Sequence, residues 1–160
     1  MRTYALGSRS DVKVRFTDLA TTIRDSLNQI YDALRSVREQ VHSLATHADD
    51  ADLTAQAERV DKALTDIESE LMQTKNESFQ DPLNYPPMLD NQYASLYGYV
   101  AGPNDAPTEG ASERLDDLNA QWDDLRSQLQ DVLRTEVARF NTRVQALGTA
   151  PVFVPTSMRE

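Results

Sequence analysis

Nine apolar residues, Phe16, Ala20, Ile23, Leu27, Ile30, Leu34, Val37, Val41 and Leu44, follow one another at alternating steps of four and three. A turn of 3.6 residues brings such positions onto one stripe, so this stretch can bury its apolar side only as a long helix laid against a partner. The spacing predicts a helix over residues 16–46. Asp18, Asp25, Asp32 and Glu39 recur every seventh residue on the side away from the stripe, which makes them a solvated back face rather than a ladder for a ligand.

Leu53, Ala57, Val60, Leu64, Ile67 and Leu71 repeat the spacing after "THADDADL" interrupts it with small and acidic residues. Asp50 or Asp52 can cap the new helix by accepting its free backbone N–H groups, so a tight turn returns a second helix antiparallel to the first. Leu89, Tyr93, Leu96 and Val100 predict a third helix of about three turns, stopped by the glycine and prolines of "AGPNDAP". A fourth opens near residues 108–112. It carries Leu115, Leu118, Trp122, Leu125, Leu129, Leu133, Val137, Phe140, Val144 and Leu147, with Gly148 as its C-terminal cap. Between Leu129 and Val137 the steps become four and four, a stutter that relaxes any supercoil.

A chain of 160 residues fits one domain and can bury roughly two thirds of the surface that it exposes unfolded. The net charge of −10 repels nucleic-acid phosphates and anionic membranes, and no basic patch offsets it. The excess is uneven. Residues 48–71 hold eight acids against two bases, whereas residues 1–47 hold seven bases against five acids, so the first two helices attract each other. The absence of cysteine excludes disulfides and thiolate metal sites. No apolar run approaches the ~20 residues needed to cross a bilayer. The N-terminus also lacks the apolar core of a signal peptide, so the chain as written is expected to be soluble, without membrane insertion.

Catalysis needs a nucleophile beside a base, a carboxylate pair at a set distance, or a metal. His42 and His47 are five residues apart and point to different faces of a helix, and His47 reads as a favourable charge at a helix end. "DDADL" lacks the length and the glycine of a calcium loop, so its acids read as caps. Trp122 falls on the apolar seam of the fourth helix, where it reads as core. No catalytic residue, metal ligand or cofactor is assigned. Tyr85, Tyr93, Tyr97 and Tyr99 cluster around the short helix and form a candidate aromatic contact surface, with a sugar or peptide groove as the alternative to packing at a bundle end.

The unusual segment is "QDPLNYPPMLDNQ", residues 80–92. Asp81 before Pro82 favours a turn, Asn84 can close an Asx-turn, and Tyr85 before Pro86 is biased to an extended backbone that Pro87 prolongs. This is a stiff corner that sets where the third helix starts. At the chain ends, Val12, Val14 and Phe16 alternate with charged residues as a strand does, and "PVFVP" is β-prone and fenced by prolines. Residues 1–15 are therefore expected as an extended junction to a preceding domain, 16–148 as the helical domain and 149–160 as a C-terminal tail.

"QTKNESFQDPLNYPPMLDNQYASLYGYV", followed by "DAPTE" and "RFNTRVQALG", resembles the C-terminal helical region of large bacterial BNR or Asp-box repeat proteins, sortilin-like β-propellers called glycosyl hydrolases. The similarity spans most of the chain and is most specific in "QDPLNYP" and the asparagine of "LDNQ"; "VKVRFTDL" matches the junction where that region's helices begin, and "GSR" at residues 7–9 departs from the usual Asp-Pro-Arg. The resemblance implies a helical tail after a propeller and an immunoglobulin-like β-module, in a secreted or envelope-associated parent. It carries Asp81, Pro82, Asn84, Tyr85, Pro86 and Asn91 over as structural or contact residues, and no catalytic one, since the propeller repeats are absent here.

The expected fold is all-α, an antiparallel helical bundle of three long amphipathic helices plus one short helix. The expected function is that of a non-catalytic accessory bundle whose partner is a neighbouring β-domain of the same polypeptide or another protein. Neither nucleic acid nor cofactor is expected, and a glycan has only the tyrosines in its favour. A free-standing helical interaction module and an accessory part of an active glycosidase are the alternatives.

Overall fold

The computed structural model describes residues 9–73, 86–101 and 107–159, and of residues 9–12 and 15 the backbone alone. Its helices are α1 (Arg9–Ala48), α2 (Ala51–Leu71), α3 (Leu89–Ala101), α4 (Glu109–Val132) and α5 (Ala138–Ala146), with a π turn, Leu133–Val137, joining the last two into one rod. The fold is the expected all-α bundle. No strand occurs among the described residues.

The seams read from the sequence form the core. Leu27, Leu34, Val37 and Val41 of α1 are buried, as are Leu53, Val60, Leu64 and Leu71 of α2 and Leu118, Leu129, Phe140 and Val144 of the α4–α5 rod. Asp18, Asp25, Asp32 and Glu39 are all exposed. The reversal between α1 and α2 takes two residues. Asp49 adopts a positive φ of 46°, a conformation that aspartate tolerates better than most side chains, and Asp50 is extended.

Over residues 9–15 the expected extended junction is corrected by the start of α1: the backbone is helical from Arg9, seven residues before the predicted start at Phe16, while residues 1–8 lie outside the described residues. A strand there has no partner, whereas extending an existing helix adds one hydrogen bond for each residue fixed. Val14 is left 57% exposed as a consequence.

The short helix neither makes a column of its own nor caps an end. Tyr93 of α3 is level with Asn119 of α4, and Asp50 at the start of α2 is level with Arg143 of α5. From Asn119 to Arg143 is roughly 36 Å at 1.5 Å per residue, and α2 together with the first turn of α3 covers the same distance. Helices α2 and α3 therefore stack end to end and run in one direction. Two continuous rods, α1 and α4–α5, run against them, α1 meeting α2 along one half of its length and α3 along the other.

The π turn has a phase explanation. In strict four-three alternation the positions after Leu129 are Val132, Glu136, Arg139 and Arg143, which would carry three charges into the seam. One extra residue, taken up by the wider turn, brings Val137, Phe140 and Val144 in instead, all buried. The rod ends in a Schellman motif: Gly148, at φ 76°, donates to the Gln145 carbonyl at 2.9 Å, and Thr149 donates to that of Val144 at 3.2 Å.

After Gly148 the chain turns back and lies along α1 and the rod. Val152, Val154 and Met158 are buried, while Phe153 is 67% exposed. Residues 149–160 were expected to lie outside the helical domain; the described part of them contributes to its core. The one-in, one-out alternation of "PVFVP" is there, but the hydrogen-bonding partners are side-chain amides rather than another strand.

Candidate functional site

Three clusters of polar and apolar groups stand out from the surface, and none of them resembles a reaction centre. The first lies between α1 and α2. In a hairpin reversing at residues 49 and 50, positions whose numbers sum to 99 are level, which places Arg38 opposite Asp61. Arg38 Nε donates to Asp61 Oδ1 at 2.8 Å, and its Nη1 donates to Glu68 Oε2. Glu68 is the buried charged residue of the described chain, at 7% exposure. An adjoining cleft of about 280 Å³ is lined by Arg38, His42, Thr46, Thr54 and Asp61, but its guanidinium is already held by two carboxylates.

The second cluster joins the start of α2 to α5. Asp50 Oδ1 accepts from Leu53 N at 2.7 Å, the N-cap bond read from the sequence, and the same carboxylate accepts from Nε and Nη2 of Arg143. The Arg143 guanidinium beside Asp50, together with the capping N–H, holds the carboxyl below the usual aspartate range. A depressed folded-state pKa stabilises the fold above the ordinary aspartate value and loses that contribution as the pH falls through the depressed one. We expect Asp50→Ala to lower Tm by about 3–6 °C at pH 7. The gap to wild type should close as thermal melts are taken below about pH 4, and a gap independent of pH would show that Arg143 contributes nothing.

The third cluster is the tail against α1, the π turn and α5. Asn141 Oδ1 accepts from Val152 N at 2.8 Å, and Gln40 Oε1 accepts from Phe153 N at 2.9 Å. Gln40 Nε2 donates back to the Phe153 carbonyl at 3.1 Å, and Gln130 Nε2 donates to that of Met158 at 3.1 Å. One glutamine thus pairs with both main-chain groups of Phe153, as a neighbouring strand does. Three buried side chains at about 1.5–3 kcal/mol each and four hydrogen bonds near ~1 kcal/mol each sum to about 8–13 kcal/mol. Fixing the backbone of residues 151–158 costs about 8–16 kcal/mol, at the lower end where prolines stiffen the free chain. Docking of the tail is close to balanced.

Of the residues singled out in the sequence, Asp81, Pro82, Asn84 and Tyr85 lie outside the described residues. Pro86 is exposed, and its carbonyl accepts from Gln73 Nε2 at 2.9 Å; Asn91 is half-buried on α3. The candidate aromatic surface is corrected at Tyr93, which is 1% exposed. Its four-three spacing with Leu89, Leu96 and Val100 turns it inward, where its hydroxyl donates to Asn119 Oδ1 at 2.9 Å. Burial, with a smaller push from the Asp123 charge, drives its pKa well above the ordinary tyrosine value. Tyr97 and Tyr99 remain on the surface, 36% and 66% exposed. Trp122 is buried on the seam, with the Arg126 guanidinium 5.8 Å from its ring centroid.

His42 and His47 are exposed, and His47 Nδ1 lies 2.7 Å from the Ser43 carbonyl one turn back. No group of three or more His, Asp or Glu suited to a metal ion occurs among the described residues. Threonine hydroxyls bond to main-chain carbonyls along the helices, as Thr22 does to Asp18 and Thr142 to Ala138. No described helix is long and apolar enough to cross a membrane.

The exposed large apolar side chains are unevenly placed. Asp90 senses the Arg24 charge, and α3 runs antiparallel to α1 from there, which puts Tyr97 and Tyr99 level with the first turns of α1. Val14 and Leu19, 57% and 43% exposed, belong to those same turns. Four exposed apolar side chains thus lie in the half of the bundle at which the polypeptide enters α1, on different sides of their helices, while Leu147 and Phe153 are exposed at the other end. Reasoning from the sequence missed Gln40, Asn141 and Arg143; the alternation of Val152 and Val154 was the available signal for the first two. No family model matches the chain, and neither a curated protein nor a solved structure is significantly similar to it.

Proposed function

We propose that this chain works as a non-catalytic accessory bundle that packs on, or presents, a neighbouring β-domain, as the C-terminal helical region of a BNR-repeat propeller protein. The observation that supports this reading is the exposure of Val14, Leu19, Tyr97 and Tyr99 in the half of the bundle where the chain enters α1. The occupant is the domain on the N-terminal side, because a domain joined through residues 1–8 is held beside this end at high effective concentration. The resemblance carried by "QDPLNYP" supports the same parentage, and with it a secreted or envelope-associated location.

The direct test is an immunoblot against this bundle in the source organism, with mass-spectrometric peptides from the detected band. The proposal expects a polypeptide several times longer than 160 residues, with peptides that run upstream into propeller repeats. A band at the size of this chain alone would remove the neighbouring domain and leave a free-standing interaction module.

A further inference from the structure

Residues 151–159 make no backbone-to-backbone hydrogen bond to any helix among the described residues. The described main-chain pairs of that stretch, Met158 to Pro155 and Arg159 to Thr156, are internal to it. Everything that ties residues 151–158 to the bundle runs through side chains: the amides of Gln40, Asn141 and Gln130, and the burial of Val152, Val154 and Met158. The link to α5 is Gly148, Thr149 and Ala150, all exposed and hydrogen-bonded only through the cap of the helix before them. Residues 151–155 turn alternate side chains inward with their backbone read by fixed partners, and a 3-10 turn over Thr156–Met158 seats Met158, which together is the recognition geometry of a peptide ligand.

We infer that the groove between α1 and the α4–α5 rod is a peptide-binding site whose resident ligand is the chain's own residues 151–158, and that the same segment can occupy it from a second copy. Gln40 and Asn141 read the backbone at residues 152 and 153, and the paired valines supply the apolar selectivity. Pro151 and Pro155 stiffen the segment in advance, so less freedom is lost on docking. Covalent attachment through Gly148 keeps the groove filled, because a ligand tethered by a short linker is present at millimolar effective concentration. The tail is therefore a strap: it opens without unfolding the helices, and an opened groove accepts the segment in trans. This inference does not rest on the parentage proposed above.

Two measurements on the full chain decide it. Hydrogen exchange of the intact protein should show the Val152 and Phe153 amides protected at least about 100-fold less than those of Leu64 and Val60, and Gln40→Ala should widen that gap with no change at α2. Equal protection would mean that the strap opens only when the whole protein unfolds, and the proposal would fall. The second measurement uses the full chain carrying Val152→Asp and Val154→Asp, which frees the groove, and a fluorescein-labelled peptide of residues 149–159. The variant should keep its helical circular dichroism and bind the peptide about ten-fold more tightly than wild type, whose own tail competes. Adding Gln40→Ala should weaken that binding. A folded variant that binds no peptide sinks the idea; if the variant does not fold, hydrogen exchange on the intact chain decides between a strap and a fixed part of the core.

Discussion

Arg38→Ala should destabilise the bundle by about 2–3 kcal/mol, whereas Glu68→Leu should cost less than about 1 kcal/mol. The asymmetry follows from what each change leaves behind. Without Arg38, the Glu68 carboxylate stays buried against the α1–α2 seam with no cation to neutralise it. Without Glu68, the guanidinium keeps Asp61 at 2.8 Å and a partly open route to water, its side chain being 28% exposed. The double variant Arg38→Met, Glu68→Leu should recover most of the loss, since a matched apolar pair replaces a buried ion pair at little cost. Thermal melts of the three proteins read this directly, with Arg38→Ala lowered by roughly 4–12 °C. Equal effects of the two single changes would mean that packing of the aliphatic stems, not the charge, holds this contact.

The second large effect is a contrast between two deletions. Removing Thr135, exposed within the π turn, should be tolerated within about 1 kcal/mol. The rod then becomes a continuous α-helix, and Val137, Phe140 and Val144 fall into the four-three phase set by Leu118, Trp122, Leu125 and Leu129. Removing Asp32, equally exposed on α1, has no wide turn to absorb it. Everything on one side of the deletion swings by about 100° around the helix axis, so that either Phe16 to Ile30 or Leu34 to Leu44 leaves the core. That loss exceeds the ~5–15 kcal/mol by which such a domain is stable, and the variant should not fold. Circular dichroism at 222 nm with a urea titration separates the outcomes. A Thr135 deletion that unfolds the chain would show that the π turn serves some need other than phase.

The periodic parts of this fold were legible because burial and hydrogen bonding make the same demand on them. Each seam position from Leu27 to Val41 and from Leu53 to Leu71 that the spacing assigned inward is buried, and the Asp50 cap and the Gly148 stop follow from backbone chemistry local to the helix ends. The start of α1 was misread because Val12 and Phe16 are four apart as well as on alternate positions, so five residues satisfy both periods. Tyr93 was drawn to the surface set by its neighbours in sequence, although its spacing had already placed it on the seam. The Asp50–Arg143 pair and the grip of Gln40 on Phe153 join residues 93 and 113 positions apart. Such pairs depend on the level at which two rods meet, which no window along the chain contains. The stutter after Leu129 was visible; that it resolves as a π turn rather than a slackened supercoil follows from the charges at Glu136, Arg139 and Arg143.

The stacking of α2 on α3 sets this bundle apart from a plain helical hairpin. One column is broken in the middle and two unbroken ones run past the break, as splints run past a fracture. Bending at the joint is resisted by α1 and the α4–α5 rod, which run past it on either side and tie the two pieces into one column.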